Sequence, residues 1–177
     1  MSQEPPALPI EGAPPTIDRA NAQALFAKLL QQQNFPLAIV AGLIAAIAGG
    51  FAWAAITVAT GFQIGWLAVG IGFLVGVAVR SAGKGLTKKF GIAGGLLALF
   101  GCALGNLLAM CAILAEQMGA PFVSTSLTIL SDPVAAVELM KAGFSPIDVL
   151  FYGIAVYEGY KFSFREVSDA DLQQMIQ

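Results

Sequence analysis

The sequence predicts an all-α integral membrane helical bundle that crosses the membrane four times, and three observations lead to this fold class. Hydrophobic residues make up 57% of the 177 residues and charged residues only 11%, less than half of the charged share of an ordinary soluble domain. No charged residue occurs between Lys28 and Arg80 or between Lys89 and Glu116. The first of these gaps would form a helix about 76 Å long, so it must cross a bilayer, turn and cross again.

The polar segment 1–36 precedes the first apolar run and is rich in proline. No short basic segment followed by an apolar stretch begins the chain, so a cleaved signal sequence is not predicted. We expect a disordered tail, then a short and mildly amphipathic helix with Thr16 as its candidate N-cap and an end near Gln33. Pro36 suits the start of the first span.

Apolar runs predict four spans, followed by a tail. The spans are placed at about 37–60, 64–79, 90–115 and 147–164, within a domain covering 37–164, and the tail is 165–177. Only three residues separate the first two spans, so these helices are expected to form a tight antiparallel hairpin. The fourth run carries Asp148, Glu158 and Lys161. We expect it to cross because its end charges can reach the interface, the alternative being a helix that lies in the interface.

The segment 116–145 between the third and fourth spans is predicted to contain one short helix. Residues 121–131 form a polar stretch. Asp132 and Pro133 then supply an N-cap and a first-turn proline, and Gly143 ends the helix. The apolar side of this helix is expected to rest on the bundle or on the lipid interface.

The loop from Arg80 to Lys89 orients the chain because it holds four bases and no acid. The positive-inside rule makes this loop cytoplasmic, so both termini are predicted to be inside. The four bases Arg80, Lys84, Lys88 and Lys89 are expected to serve this orientation. Binding of anionic lipid headgroups or docking of a soluble partner are alternative roles for them.

Small residues recur at helical spacing within the first three spans, where they allow helix backbones to approach closely. The glycines that we single out as candidate contact residues are Gly42, Gly50, Gly65, Gly72, Gly76, Gly94, Gly101 and Gly105. Two interpretations remain open. The glycines either hold one compact bundle together, or one of their stripes forms a subunit interface.

Four polar residues within the spans are candidate intramembrane sites: Asn106, Asp148, Glu158 and Lys161. The Asn106 amide needs a partner in hydrocarbon, so an interhelical hydrogen bond is expected. Asp148 is expected to cap the fourth span. Glu158 lies three residues before Lys161, which predicts an ion pair at the inner interface and leaves a proton or cation role as the alternative.

Several classes of chemistry are not predicted. Without histidine or a Cys-x-x-Cys motif, we expect no zinc or haem site, no cofactor and no catalytic residues. The bases are not clustered as a nucleic-acid partner requires. Cys102 and Cys111 would lie on opposite sides of one helix, so they cannot form a disulfide with each other. They are expected to be small apolar fillers, with a subunit contact or a lipid modification as alternatives.

A family resemblance rests on several short motifs. They are Gly65-Trp-Leu-Ala-Val-Gly-Ile-Gly72, the run from Gly76 to Arg80, Gly83-Lys-Gly85, Phe90-Gly91, Ser145-Pro-Ile-Asp148 and Tyr157-Glu-Gly-Tyr160. Over about residues 37–162 the chain resembles a group of small bacterial integral membrane proteins of unknown function. The resemblance implies four helices and the bacterial inner membrane. Some of those proteins carry a zinc-binding segment before the helices, which this chain replaces with a proline-rich tail that lacks cysteine.

Together these features predict a non-enzymatic membrane protein that acts through helix packing. Its expected partners are the lipid bilayer and other membrane subunits or copies of itself, and the leading hypothesis is an accessory or scaffold subunit of a larger complex. The alternative is a homo-oligomeric channel or transporter for a small solute or ion that uses Glu158 and Asn106. A membrane enzyme acting on lipid is a third possibility.

Overall fold

The structure, a computed structural model, describes residues 19–62 and 64–166. Every regular element in these ranges is an α-helix. The helices are α1 (Arg19–Gln31), α2 (Phe35–Thr60), α3 (Trp66–Gly83), α4 (Lys88–Met118), α5 (Phe122–Ser131), α6 (Pro133–Gly143) and α7 (Pro146–Lys161). α1 belongs to one compact unit and α2–α7 to another. The all-helical class is therefore confirmed, whereas the predicted tail 1–15, the Thr16 cap and residues 167–177 lie outside the described residues.

Three helices, α2, α3 and α4, are long and apolar enough to cross a membrane. α2 and α4 contain the first and third predicted spans, and α3 begins two residues after the predicted start of the second and extends four residues beyond its predicted end. α5 and α6 meet at an angle of 112° and would raise the number to four if this bent pair counts as one broken span. The fourth predicted span corresponds instead to α7, which has 16 residues. The described helices are thus compatible with a membrane protein with three or four spans.

The four helices α2, α3, α4 and α7 form the bundle. α3 and α4 contact each other, and each of them also contacts α2 and α7. Gly65 at the start of α3 faces Phe151 in the first half of α7, and Gly76, further along α3, faces Phe162 just after the end of α7, so α7 runs parallel to α3. α2 runs parallel to α4 for the same reason, because Gly42 faces Leu97 and the later residue Gly50 faces Gly105. α3 and α7 therefore run in one direction and α2 and α4 in the other.

Local signals in the sequence place the helix ends. The Asn34 side chain accepts a hydrogen bond from the Leu37 backbone N–H at 3.0 Å and so caps α2. Gly61 ends α2 with a φ of +70°, a left-handed conformation that glycine adopts without a steric penalty. Asp132 accepts hydrogen bonds from the backbone N–H groups of Val134 and Ala135 and caps α6 as predicted.

The segment before Asp132 corrects the prediction of a polar stretch, because residues Phe122–Ser131 form the helix α5. Four of the five hydroxyl groups on α5 donate to backbone carbonyls three or four residues earlier, and the exception is the buried Ser126 hydroxyl. Ser124 and Thr125 donate to the Pro121 carbonyl, Thr128 to Ser124, and Ser131 to Leu127. Because the carbonyls of the helix itself satisfy these hydroxyls, a segment rich in serine and threonine is compatible with an apolar environment.

Candidate functional site

The eight singled-out glycines lie against neighbouring helices of the same chain. The backbones of α2 and α4 approach closely where a Cβ atom placed on Gly105 would lie 3.2 Å from the Gly50 Cα. Gly42 faces Leu97 and Val79, and Gly101 faces Ile71 and Ala46. These glycines bring α2 within backbone contact of α4.

The remaining glycines make room for α7. A Cβ atom on Gly72 would collide with the backbone of Ala155, and one on Gly76 would lie 2.8 Å from the Phe162 Cβ. A Cβ atom on Gly94 would collide with the Ser163 hydroxyl. Together with Gly65 against Phe151, all eight positions are occupied within one chain. The intramolecular interpretation accounts for them, and a subunit interface must use another surface.

The buried polar centre of the bundle joins α4 to α7. The Asn106 amide, which is fully buried, donates a hydrogen bond to the Tyr152 hydroxyl at 3.1 Å. The Tyr152 hydroxyl in turn donates to the Cys102 carbonyl at 3.2 Å. Asn106 thus makes the interhelical bond expected for an amide in hydrocarbon. The Tyr152 hydroxyl is engaged as both acceptor and donor, so this network serves helix packing.

Tyr152 is a residue whose specific role was not predicted. Its position four residues after Asp148 places both on one face of α7, which was the only signal available. Asp148 is buried, and its carboxylate accepts a hydrogen bond from the Ser145 backbone N–H at 2.7 Å. This bond closes the first turn of α7. The positive end of the helix dipole also stabilises a negative side chain at this position.

The predicted ion pair between Glu158 and Lys161 is not formed. The Lys161 ammonium lies over the aromatic rings of Tyr157 and Phe162, at 5.6 Å from each centroid. The ion pair found in the described ranges joins Lys141 to Glu138 on the exposed side of α6. The rings offer Lys161 a cation–π contact near the end of α7, which competes with an exposed pair of low stability.

Backbone hydrogen bonds join the basic loop between α3 and α4 to the residue before α2 and to the segment that follows α7. The Gly83 carbonyl accepts from the Asn34 N–H at 2.9 Å, and the Gly85 carbonyl from the Arg165 N–H at 2.8 Å. The four bases of this loop differ in their exposure to the surroundings. Arg80 is half-buried, Lys84, Lys88 and Lys89 are exposed, and Lys84 has a φ of +49°. The start of α2, the loop and the end of α7 therefore share one end of the bundle.

An apolar groove of about 640 Å³ opens at the other end, where α2 and α4 end and α5 begins. Six of its ten lining residues are alanines. The lining comprises Phe51, Ala54, Ala55, Val58, Ala59, Ala112, Ala115, Glu116, Ala120 and Phe122. Phe51 and Val58 are more than half exposed, so the groove faces outward. We call this surface the alanine groove. Sequence analysis did not find it because the alanine spacing does not reveal which helix face points outward.

Two polar groups on α2 lack partners in the part of the chain that the structure describes. They are the Trp53 indole N–H and the Thr57 hydroxyl, which are one turn apart and each 1% exposed. Both lie on the face of α2 that contacts the bundle interior, next to the close approach at Gly105. They do not belong to the alanine groove, which is lined by other residues of α2.

Neither cysteine is in a disulfide, since Cys102 and Cys111 are both free and buried. The Cys102 thiol donates to the Ala68 carbonyl at 3.7 Å, as expected of a small filler in the bundle interior. Among the described residues, no group of three or more His, Cys, Asp or Glu side chains could hold a metal ion. The resemblance to bacterial membrane proteins stays a prediction, because the chain matches no known protein family, no curated protein and no solved structure.

Proposed function

We propose that the protein is a non-enzymatic accessory or scaffold subunit of a larger complex in the bacterial inner membrane. In this proposal α2, α3, α4 and α7 all cross the membrane, and both termini lie in the cytoplasm. Its role is to present a helix-packing surface to another membrane subunit.

The alanine groove is the observation that carries this proposal. The eight singled-out glycines contact other helices of the same chain, whereas the groove is an open surface where small residues would let a foreign backbone approach closely. Its lining combines six alanines with the larger side chains of Phe51, Val58 and Phe122, which suits the apolar surface of a transmembrane helix. Glu116 at its rim would favour a basic residue on the flank of that helix.

The position of α7 supports the four crossings. α7 runs beside α3 from Gly65 to Gly76, and its 16 residues extend about 24 Å. It therefore occupies most of the layer that α3 occupies. The Asp148 carboxylate near its start accepts a hydrogen bond from a backbone N–H, and Lys161 lies at its end, where the side chain can reach the interface.

Native mass spectrometry of the protein, extracted gently from its own membranes, tests the proposal. We expect unrelated chains at fixed stoichiometry. The variant Ala55→Trp, which obstructs the alanine groove, should release those chains. Ala52→Trp is the matched control, because Ala52 is also exposed on α2 but does not line the groove. Retention of the same partners by the Ala55→Trp variant would refute the groove as the docking surface.

A repeated mass of this chain alone would support the alternative of a homo-oligomeric channel or transporter. Glu158 is the residue to test, because it is half-buried on α7 and its carboxylate does not pair with Lys161. In that case Glu158→Gln should abolish flux through the oligomer in liposomes while its mass is unchanged. A packing subunit should show no flux in either form.

A further inference from the structure

A second outward groove lies at the opposite end of the α2–α4 face from the alanine groove. It has a volume of about 420 Å³ and is lined by Phe35, Ile39, Ile92, Leu96, Leu97 and a single charged residue, Lys89. We call this surface the lysine groove. Because α2 and α4 are parallel and begin here, the groove starts at the level of the basic loop and runs towards the middle of the bundle.

Aromatic rings hold the one charge at the mouth of the lysine groove. The Lys89 ammonium lies 5.2 Å from the centroid of the Phe35 ring and 5.5 Å from that of Phe90. The two rings meet edge to face with centroids 5.2 Å apart, so they form a rigid platform. Within residues 19–62 and 64–166, no carboxylate pairs with this ammonium, since the ion pair there joins Lys141 to Glu138. The rings restrict the charge in position without neutralising it.

The groove below this charge suits a hydrocarbon chain. Ile92 and Leu96 are more than half exposed, at 56% and 63%, so the groove opens on the face of the bundle that we propose to lie in lipid. The segment from Lys89 to Leu96 rises about 10 Å, within the roughly 15 Å depth of one leaflet. The Lys89 ammonium at the mouth lies at the depth of a phospholipid headgroup, and the apolar wall below it lies at the depth of the acyl chains.

We propose that the lysine groove binds one anionic glycerophospholipid, with an acyl chain against Ile39, Ile92 and Leu96 and the phosphate at Lys89. This inference rests only on the membrane location within the proposed function, not on the accessory role. A packed helix from a second copy fits less well, because it would cover the Lys89 ammonium with apolar surface and leave the charge without a partner.

Native mass spectrometry of the purified protein in detergent, titrated with dioleoyl phosphatidylglycerol, tests the site. We expect one tightly bound lipid per chain and weaker binding of dioleoyl phosphatidylcholine. Lys89→Gln should weaken binding of phosphatidylglycerol about fivefold. Lys88→Gln is the matched control, because it removes the same charge from the adjacent residue, which does not line the groove, and it should have a much smaller effect.

A second pair of variants tests the acyl-chain wall. Leu96→Trp obstructs the groove and should abolish the tight lipid, whereas Leu99→Trp, one turn along the same exposed face but outside the groove lining, should not. Glycerophosphoglycerol, which lacks acyl chains, should not compete. Equal loss with Lys88→Gln, binding unchanged by Leu96→Trp, or full competition by glycerophosphoglycerol would each overturn the proposal. None of these results would affect the partner chains found with the alanine groove.

Discussion

The Asn106 amide and the Tyr152 hydroxyl meet at 3.1 Å between α4 and α7. α7 is the most polar of the bundle helices and carries three charged residues in its 16 positions. The bond to Asn106 and the tyrosine's own bond to the Cys102 carbonyl therefore anchor the helix whose membrane insertion is least favoured by composition. Four predictions test this arrangement and the architecture around it.

Removing either partner of this pair should destabilise the bundle. We expect Asn106→Leu and Tyr152→Phe each to lower the free energy of unfolding by about 0.6–2 kcal/mol, the range of interhelical hydrogen bonds in membranes. The double variant should lose less unfolding free energy than the two single variants lose together, because both single variants remove the same hydrogen bond. Unfolding in mixed detergent micelles, followed by circular dichroism, measures the four free energies. Strict additivity would show that the two side chains do not interact.

Gly159 should not tolerate a larger side chain. A Cβ atom on Gly159 would lie 2.7 Å from both the Ala98 Cβ and the Gly94 carbonyl oxygen, so Gly159→Leu must separate α7 from α4. We expect a loss of more than about 2 kcal/mol in unfolding free energy, or no folded protein. Gly153→Leu is the control on the same helix, because nothing lies within 4 Å of a Cβ atom there. Equal thermal stability of the two variants would contradict the packing of α7 against α4.

Sidedness of labelling tests the proposed crossings. Single cysteines in place of Lys88, Val134 and Glu166 lie in exposed positions, while the native cysteines are buried. A membrane-impermeant maleimide should label Val134→Cys from outside intact cells. It should label Lys88→Cys and Glu166→Cys only after the membrane is opened. Labelling of Glu166→Cys from outside would show that α7 does not cross.

Lys84 is predicted to weaken the end of α3. Its φ of +49° places a residue with a Cβ atom in the left-handed region, where glycine is preferred at helix ends. Lys84→Gly should raise the free energy of unfolding by about 0.5–1 kcal/mol. Lys84→Ala removes the same charge but keeps the Cβ atom, so it should leave stability close to that of the native protein. If both variants are equally stabilised, charge repulsion in the loop is responsible instead.

The positions of the first three spans follow from sequence alone. The absence of charge over 51 residues before Arg80 predicts two crossings whatever the packing of the helices, and two of the candidate spans, α2 and α3, lie there. Helix starts are similarly local, since an Asn or Asp side chain bonds N–H groups within three residues of itself, as Asn34 does for α2 and Asp132 for α6. No helix was predicted at α5, because a stretch rich in serine and threonine does not show in advance that most of its hydroxyls bond carbonyls three or four positions earlier.

The contacts between helices required the three-dimensional arrangement. In a soluble protein, polar residues mark the outer face of a helix, but in a membrane the lipid-facing and buried faces are both apolar. The pattern of glycines and alanines therefore could not show that Gly105 faces Gly50 whereas Ala55 lines an open groove. For Lys161, sequence spacing allowed contact with Glu158 and equally with Tyr157 and Phe162, and only the side-chain geometry in the folded chain decides in favour of the two rings. Charge distribution and helix capping depend on residues close in sequence, so they can be predicted from the sequence. Close packing of helices depends on atoms that are distant in sequence and that only folding brings together.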